Sequence, residues 1–128
     1  FLWLPLGALV IGVTGLGVAD FPMAGAVHSI TIGAMSGLIM AIAGRAGCHS
    51  RDGIMRAGNG FVAGVLLVWI TTWIRLAAPL FPAHAESLIA AAALLWCAGW
   101  LAFLSGFLPA LSGPVPRPVL SGRSSRQT

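Results

Sequence analysis

The sequence predicts an all-α, polytopic membrane protein: about four transmembrane helices in an up-down bundle, then a disordered C-terminal tail. Three observations predict it. Hydrophobic residues make up 58% of the 128 residues and charged ones 8%, against roughly 25% charged in an average soluble domain. So little charge cannot cover a soluble surface, whereas in lipid the outer surface is itself apolar; the mean hydropathy of +0.94 agrees. Finally, the apolar residues fall into four stretches, each near the ~20 residues a helix needs to cross the hydrocarbon core. These stretches do not alternate apolar with polar residues, which argues against membrane strands.

The first span covers about 1–18. It is apolar from Phe1 onward with no basic segment before it, so it does not read as a signal peptide. It reads as a span already begun, and the chain is expected to be the C-terminal part of a longer protein. The missing N-terminal transmembrane helices would then be its partners, along with the lipid bilayer.

The second span runs over about 23–44, with Asp20 and Pro22 suited to a helix start. The polar loop 45–57 follows. The third span covers about 58–78 and is ended by Pro79 and Pro82. The fourth covers about 87–108, where Glu86 suits the positive N-terminus of a helix. The bundle therefore occupies 1–108. Residues 109–128, rich in Pro, Ser and Arg, are expected to be disordered.

Seven arginines against three acids give a net charge of +4. They lie between and beyond apolar runs rather than on one polar face, so nucleic acid is not an expected partner. Arg45, Arg51 and Arg56 occupy the central loop, and Arg117, Arg123 and Arg126 the tail. With four spans these two segments share a side, and the positive-inside rule makes it the cytoplasmic one. Cys48 and Cys97 form no CxxC pair and no disulfide framework.

The second span carries the most informative residues. Gly25, Ser29, Gly33, Gly37 and Ala41 recur every fourth residue. Such a strip lets helix backbones approach closely, which is its common use, and would equally admit a flat porphyrin. Gly60 and Gly64 on the third span repeat the idea more weakly. His28 lies about one turn inside the span. An ionisable group there is a candidate site, and imidazole is a frequent metal and haem-iron ligand; the alternative is an interfacial histidine bonded to water or a carbonyl. Met35 lies roughly 10 Å further along the same face and cannot share an iron with His28, and His49 lies roughly 30 Å away. His84, in the outer loop, could approach His28.

The central loop holds adjacent Cys48 and His49, then Met55. Sulfur with imidazole suits copper, although a turn anchored at the headgroups accounts for the same residues. Arg75, near the outer end of the third span, either snorkels to the interface or pairs with a haem propionate at the depth of His28. Trp69 with Trp73, and Trp96 with Trp100, share helix faces without marking a cofactor site. There is no P-loop, nucleophile elbow or HExxH, and the three acids form no carboxylate pair.

The segment HSITIGAMSGLIMAIAGRAGCHSR, followed by IRLAAPLFP and a Trp-containing last span, resembles the NnrS family. The family pattern of a His, a Thr-x-Gly-Ala run, an Arg and a loop histidine falls on His28, Thr31, Gly33, Ala34, Arg45 and His49. The resemblance covers about Ala24 to Pro118. It departs in the loop, which reads Cys48-His49-Ser50-Arg51-Asp52: from the histidine to the arginine it is one residue shorter than the family's Gly-His-Thr-Gly-Arg, and it lacks the glycines. The resemblance implies a multi-pass protein of the bacterial inner membrane that binds haem and copper. It implies a role in nitric oxide metabolism and nitrosative-stress resistance, often beside denitrification, with His28 and Arg75 as candidate haem-binding residues and His28 and His49 as candidate metal ligands. It implies no settled reaction, so no catalytic residue is assigned. Two competing readings remain: a transporter or channel segment, and a structural membrane module without a cofactor.

Overall fold

The computed structural model describes residues 2–17, 21–47 and 57–108. It is helical throughout, with no strand among the described residues. Helix α1 is Trp3–Gly15. Helix α2 covers 23–47 as one continuous rod in three parts: an α-helical start Met23–His28, a π-helical segment Ser29–Met35 and an α-helical end Ser36–Gly47. Helix α3 is Asn59–Ala77 and helix α4 is Ala85–Ser105. Two 3-10 turns, Ala78–Leu80 and Pro82–His84, connect them. The two prolines sit inside those turns, where a missing N–H and a fixed φ suit a tight corner.

Three of the four expected spans are long and apolar enough to cross a membrane: Met23–Arg45, Asn59–Leu80 and Pro82–Ser105. The first is shorter than expected, since 13 helical residues rise about 20 Å against a core of ~30 Å. It closes on Gly17, whose φ of +68° places it in the left-handed region that a helix end favours and that glycine tolerates. Helix α2 runs on through Arg45 to Gly47, where the loop was expected to begin; residues 48–56 of that loop and the tail 109–128 lie outside the described residues.

The tightest packing joins α3 to α4. A Cβ on Gly64 would stand 2.6 Å from Phe103 Cβ and 2.7 Å from the Gly99 carbonyl, and one on Gly60 would stand 2.7 Å from the Ala102 carbonyl. Only glycine permits this approach. Lipid offers no hydrophobic drive between helices, so close van der Waals contact is what holds them. Beside this seam lies a core of Met40 of α2, Phe61 and Val68 of α3 and Phe103 of α4. Phe61 stacks obliquely on Phe103 at 5.1 Å and meets Phe107 edge-on at 4.9 Å.

The π segment was not foreseen from the sequence. Its neighbours supply a cause. Ser29 Oγ donates to the Ala26 carbonyl at 2.6 Å, and Thr31 Oγ1 donates to the Val27 carbonyl at 3.3 Å. These hydroxyls compete for carbonyls that backbone N–H groups would otherwise hold, and the ladder loosens there. From the other side α1 supports the segment. A Cβ on Gly7 would meet Ile30 Cγ1 at 2.6 Å and Ser29 Oγ at 2.7 Å.

Candidate functional site

Three helices turn matching faces toward one cavity of about 580 Å³, a size typical of small-molecule and cofactor sites. Helix α2 contributes His28, Thr31, Ile32 and Ser36; α3 contributes Thr71 and Arg75; α4 contributes Ile89, Ala92, Ala93, Trp96 and Cys97. Each set follows the three-and-four spacing of a single helix face. The α2 face straddles the π segment, which starts directly after His28.

His28 is half-buried, and its Nδ1 donates to the carbonyl of Ala24 one turn earlier on its own helix. A carbonyl only accepts, so Nδ1 is the donor, and the tautomer that makes this bond has its lone pair on Nε2. This is how ligating histidines are usually fixed: one nitrogen tied to a backbone carbonyl, the other left for a metal. Arg75, also half-buried, lies in the last turn of α3. The expectation that it shares the depth of His28 agrees with an independent contact: a Cβ on Gly25 would lie 3.3 Å from Pro79 Cγ. Gly25 is thus level with Pro79, and His28 and Arg75 each follow within about one turn toward the membrane interior. Both side chains line the same cavity.

The walls between these two groups are small or flat. Ala92, Ala93 and Ser36 leave room, and Trp96 offers an indole that meets Trp100 edge-on at 6.1 Å. Thr71, almost fully buried, turns its Oγ1 back onto the Leu67 carbonyl at 2.8 Å, which removes a polar demand from the cavity wall.

Other candidates fall elsewhere. His84 sits on an exposed 3-10 turn and is not among the residues lining the cavity. Met35 is 58% exposed and also outside the lining. Cys48, His49 and Met55 lie outside the described residues. Among the described residues, no three His, Cys, Asp or Glu side chains come together as a metal cluster. Most of the other lining residues, Cys97 and Thr71 among them, had no site role in the sequence reading. The signal for Cys97 was its place on one α4 face with Ile89 and Ala93, which becomes meaningful only once the neighbours of that face are known.

The four-residue strip of α2 does not act as one surface. Gly25 meets Phe21 and Pro79, and Ser29 meets α1, but nothing lies within 4 Å of a Cβ placed on Gly37. Instead Gly33, Gly37 and Ala41 border a second, smaller cavity of about 280 Å³, closed by Val65, Val68 and Trp69 of α3.

Compared with known proteins, the chain matches the sequence model of one family, described as NnrS protein, over residues 1–114. No curated protein and no solved structure gives a match. The matched region takes in all four helices, including α1 and the complete three-helix cavity. This helical membrane chain belongs to the NnrS family.

Proposed function

We propose that the cavity between α2, α3 and α4 holds haem, with His28 Nε2 as an iron ligand and Arg75 paired to a haem carboxylate. The observation that carries this reading is the His28–Ala24 hydrogen bond, because it engages Nδ1 and leaves Nε2 as the ring nitrogen available to a ligand in a cavity that Arg75 also lines. The residues present suit the group. A planar guanidinium recognises a carboxylate through two parallel hydrogen bonds. Alanines and an indole accept a flat apolar ring. Bound haem supplies an iron centre able to take up nitric oxide. His28 would hold the iron through Nε2, and Arg75 would pair with a carboxylate of the same group.

On this reading the chain serves nitric oxide metabolism and nitrosative-stress resistance, as its family membership supports. The membrane is the bacterial cytoplasmic membrane, with 45–57 and 109–128 on the inner side, as the arginine distribution supports. Copper belongs to the same proposal. Its ligands would include His49 together with residues outside those described. No side chain is assigned a catalytic step.

The test is an optical spectrum and pyridine haemochrome assay on the full-length protein and its His28→Ala variant, both expressed with adequate haem. The wild type is expected to show a Soret band that shifts on nitric oxide addition, and the variant to lose at least about tenfold in haem content. A haem-free wild type sinks the proposal. A variant with an unaltered spectrum removes His28 from it.

A further inference from the structure

The depth of each lining residue can be read from the helix contacts. The Gly64–Gly99 and Gly60–Ala102 approaches fix α3 against α4. Counting outward from them along both antiparallel helices brings Arg75 level with Ile89. Cys97 lies eight residues further along α4, about 12 Å deeper at the rise of an α-helix. His28 is level with Arg75, as Gly25 and Pro79 show. The cavity therefore has a polar outer end with His28 and Arg75, and an inner end with Cys97 and Trp96.

The geometry points to Cys97 as a binding residue that touches the inner, apolar edge of the bound group, opposite its carboxylates. The inference rests on the haem reading above and adds to it the direction in which the ring lies. Arg75 draws the carboxylates outward to the interface, so the carboxylate-free edge faces the membrane centre. There it meets a small, polarisable thiol, which packs like an apolar group. Cys97 is free and reachable from outside the bundle, so its reactivity reports whether the inner end is covered.

The experiment uses full-length protein in detergent with Cys48→Ser, so that Cys97 is the thiol followed within this chain. Alkylation by a small maleimide is timed with and without bound haem, and mass spectrometry of the Cys97 peptide gives the rate. Haem is expected to slow alkylation of Cys97 at least tenfold, and His28→Ala is expected to restore the fast rate. In a second variant, Cys97→Trp, the indole fills the inner end; haem retention should fall, while Cys97→Ala should retain haem. Equal alkylation rates in haem-loaded and haem-free protein overturn this inference and leave the haem site standing. Absence of a Soret band in the wild type overturns both.

Discussion

Two strips of small residues run through this bundle, and they end up with different work. On α3, Gly60 and Gly64 are closed by α4, where a Cβ would strike Phe103 and two carbonyls. On α2, the outer half of the strip meets α1 and the Pro79 turn, while Gly37 meets nothing within 4 Å. The first strip is a seam; the second changes from packing to cavity wall along its length. Composition alone ranks them the other way, because the α2 strip has five members and the α3 strip two. A small residue shows that a close approach is possible, but its partner lies on another helix.

The largest effect should come from filling each strip. Gly64→Leu forces α3 and α4 apart and is expected to cost about 3 kcal/mol, the upper end for overpacking. Gly37→Leu projects into open space and is expected to stay within about 0.5 kcal/mol. Denaturant unfolding in detergent, followed by circular dichroism, measures both. Equal costs would mean that the two strips pack alike, and the contrast drawn between them would be wrong.

A smaller effect distinguishes the cavity from the seam chemically. Arg75→Gln keeps a long polar side chain but loses the charge and the paired donors. Haem affinity should drop about tenfold, or about 1.4 kcal/mol, near the low end for a charge-assisted hydrogen bond, while unfolding stability stays unchanged. Titration of haem into haem-depleted protein gives the ratio. If Arg75→Gln lowers stability and leaves affinity alone, Arg75 belongs to the fold rather than to the cavity, and snorkelling explains it.

Much of this was legible beforehand, and the physical reasons are specific. Pro79 and Pro82 mark the corner between α3 and α4 because each removes an N–H and fixes φ, and the structure places 3-10 turns there. His28 and Arg75 could be matched in depth because a helix rises uniformly and adjacent spans run in opposite directions. The place of Cys97 in the cavity wall was not legible, since it depends on the register between α3 and α4, which Gly64 and Gly99 set through contact. The first helix is shorter than the apolar run that predicts it, because the run continues into Leu16 while the helix ends at Gly15. The π segment left no periodic trace, because hydroxyl groups competing for carbonyls do not alter the apolar pattern.

That competition supports the smallest prediction. Ser29 is fully buried where the packed half of the α2 strip meets the π segment, and its Oγ donates to the Ala26 carbonyl. Ser29→Ala removes the donor without adding volume, and Ile30 keeps its own contact with Gly7 of α1. The expected loss is about 0.5–1 kcal/mol, the net value of one hydrogen bond, with haem affinity unchanged because His28 is held separately by the Ala24 carbonyl. Unfolding and haem titration on the same preparation measure the two together. A loss in affinity beyond about threefold would show that Ser29 helps set the winding that carries His28, Thr31 and Ser36 onto one face. In that case the strip and the cavity would be one cooperative unit, since the hydroxyl that loosens the ladder would also be aligning the site.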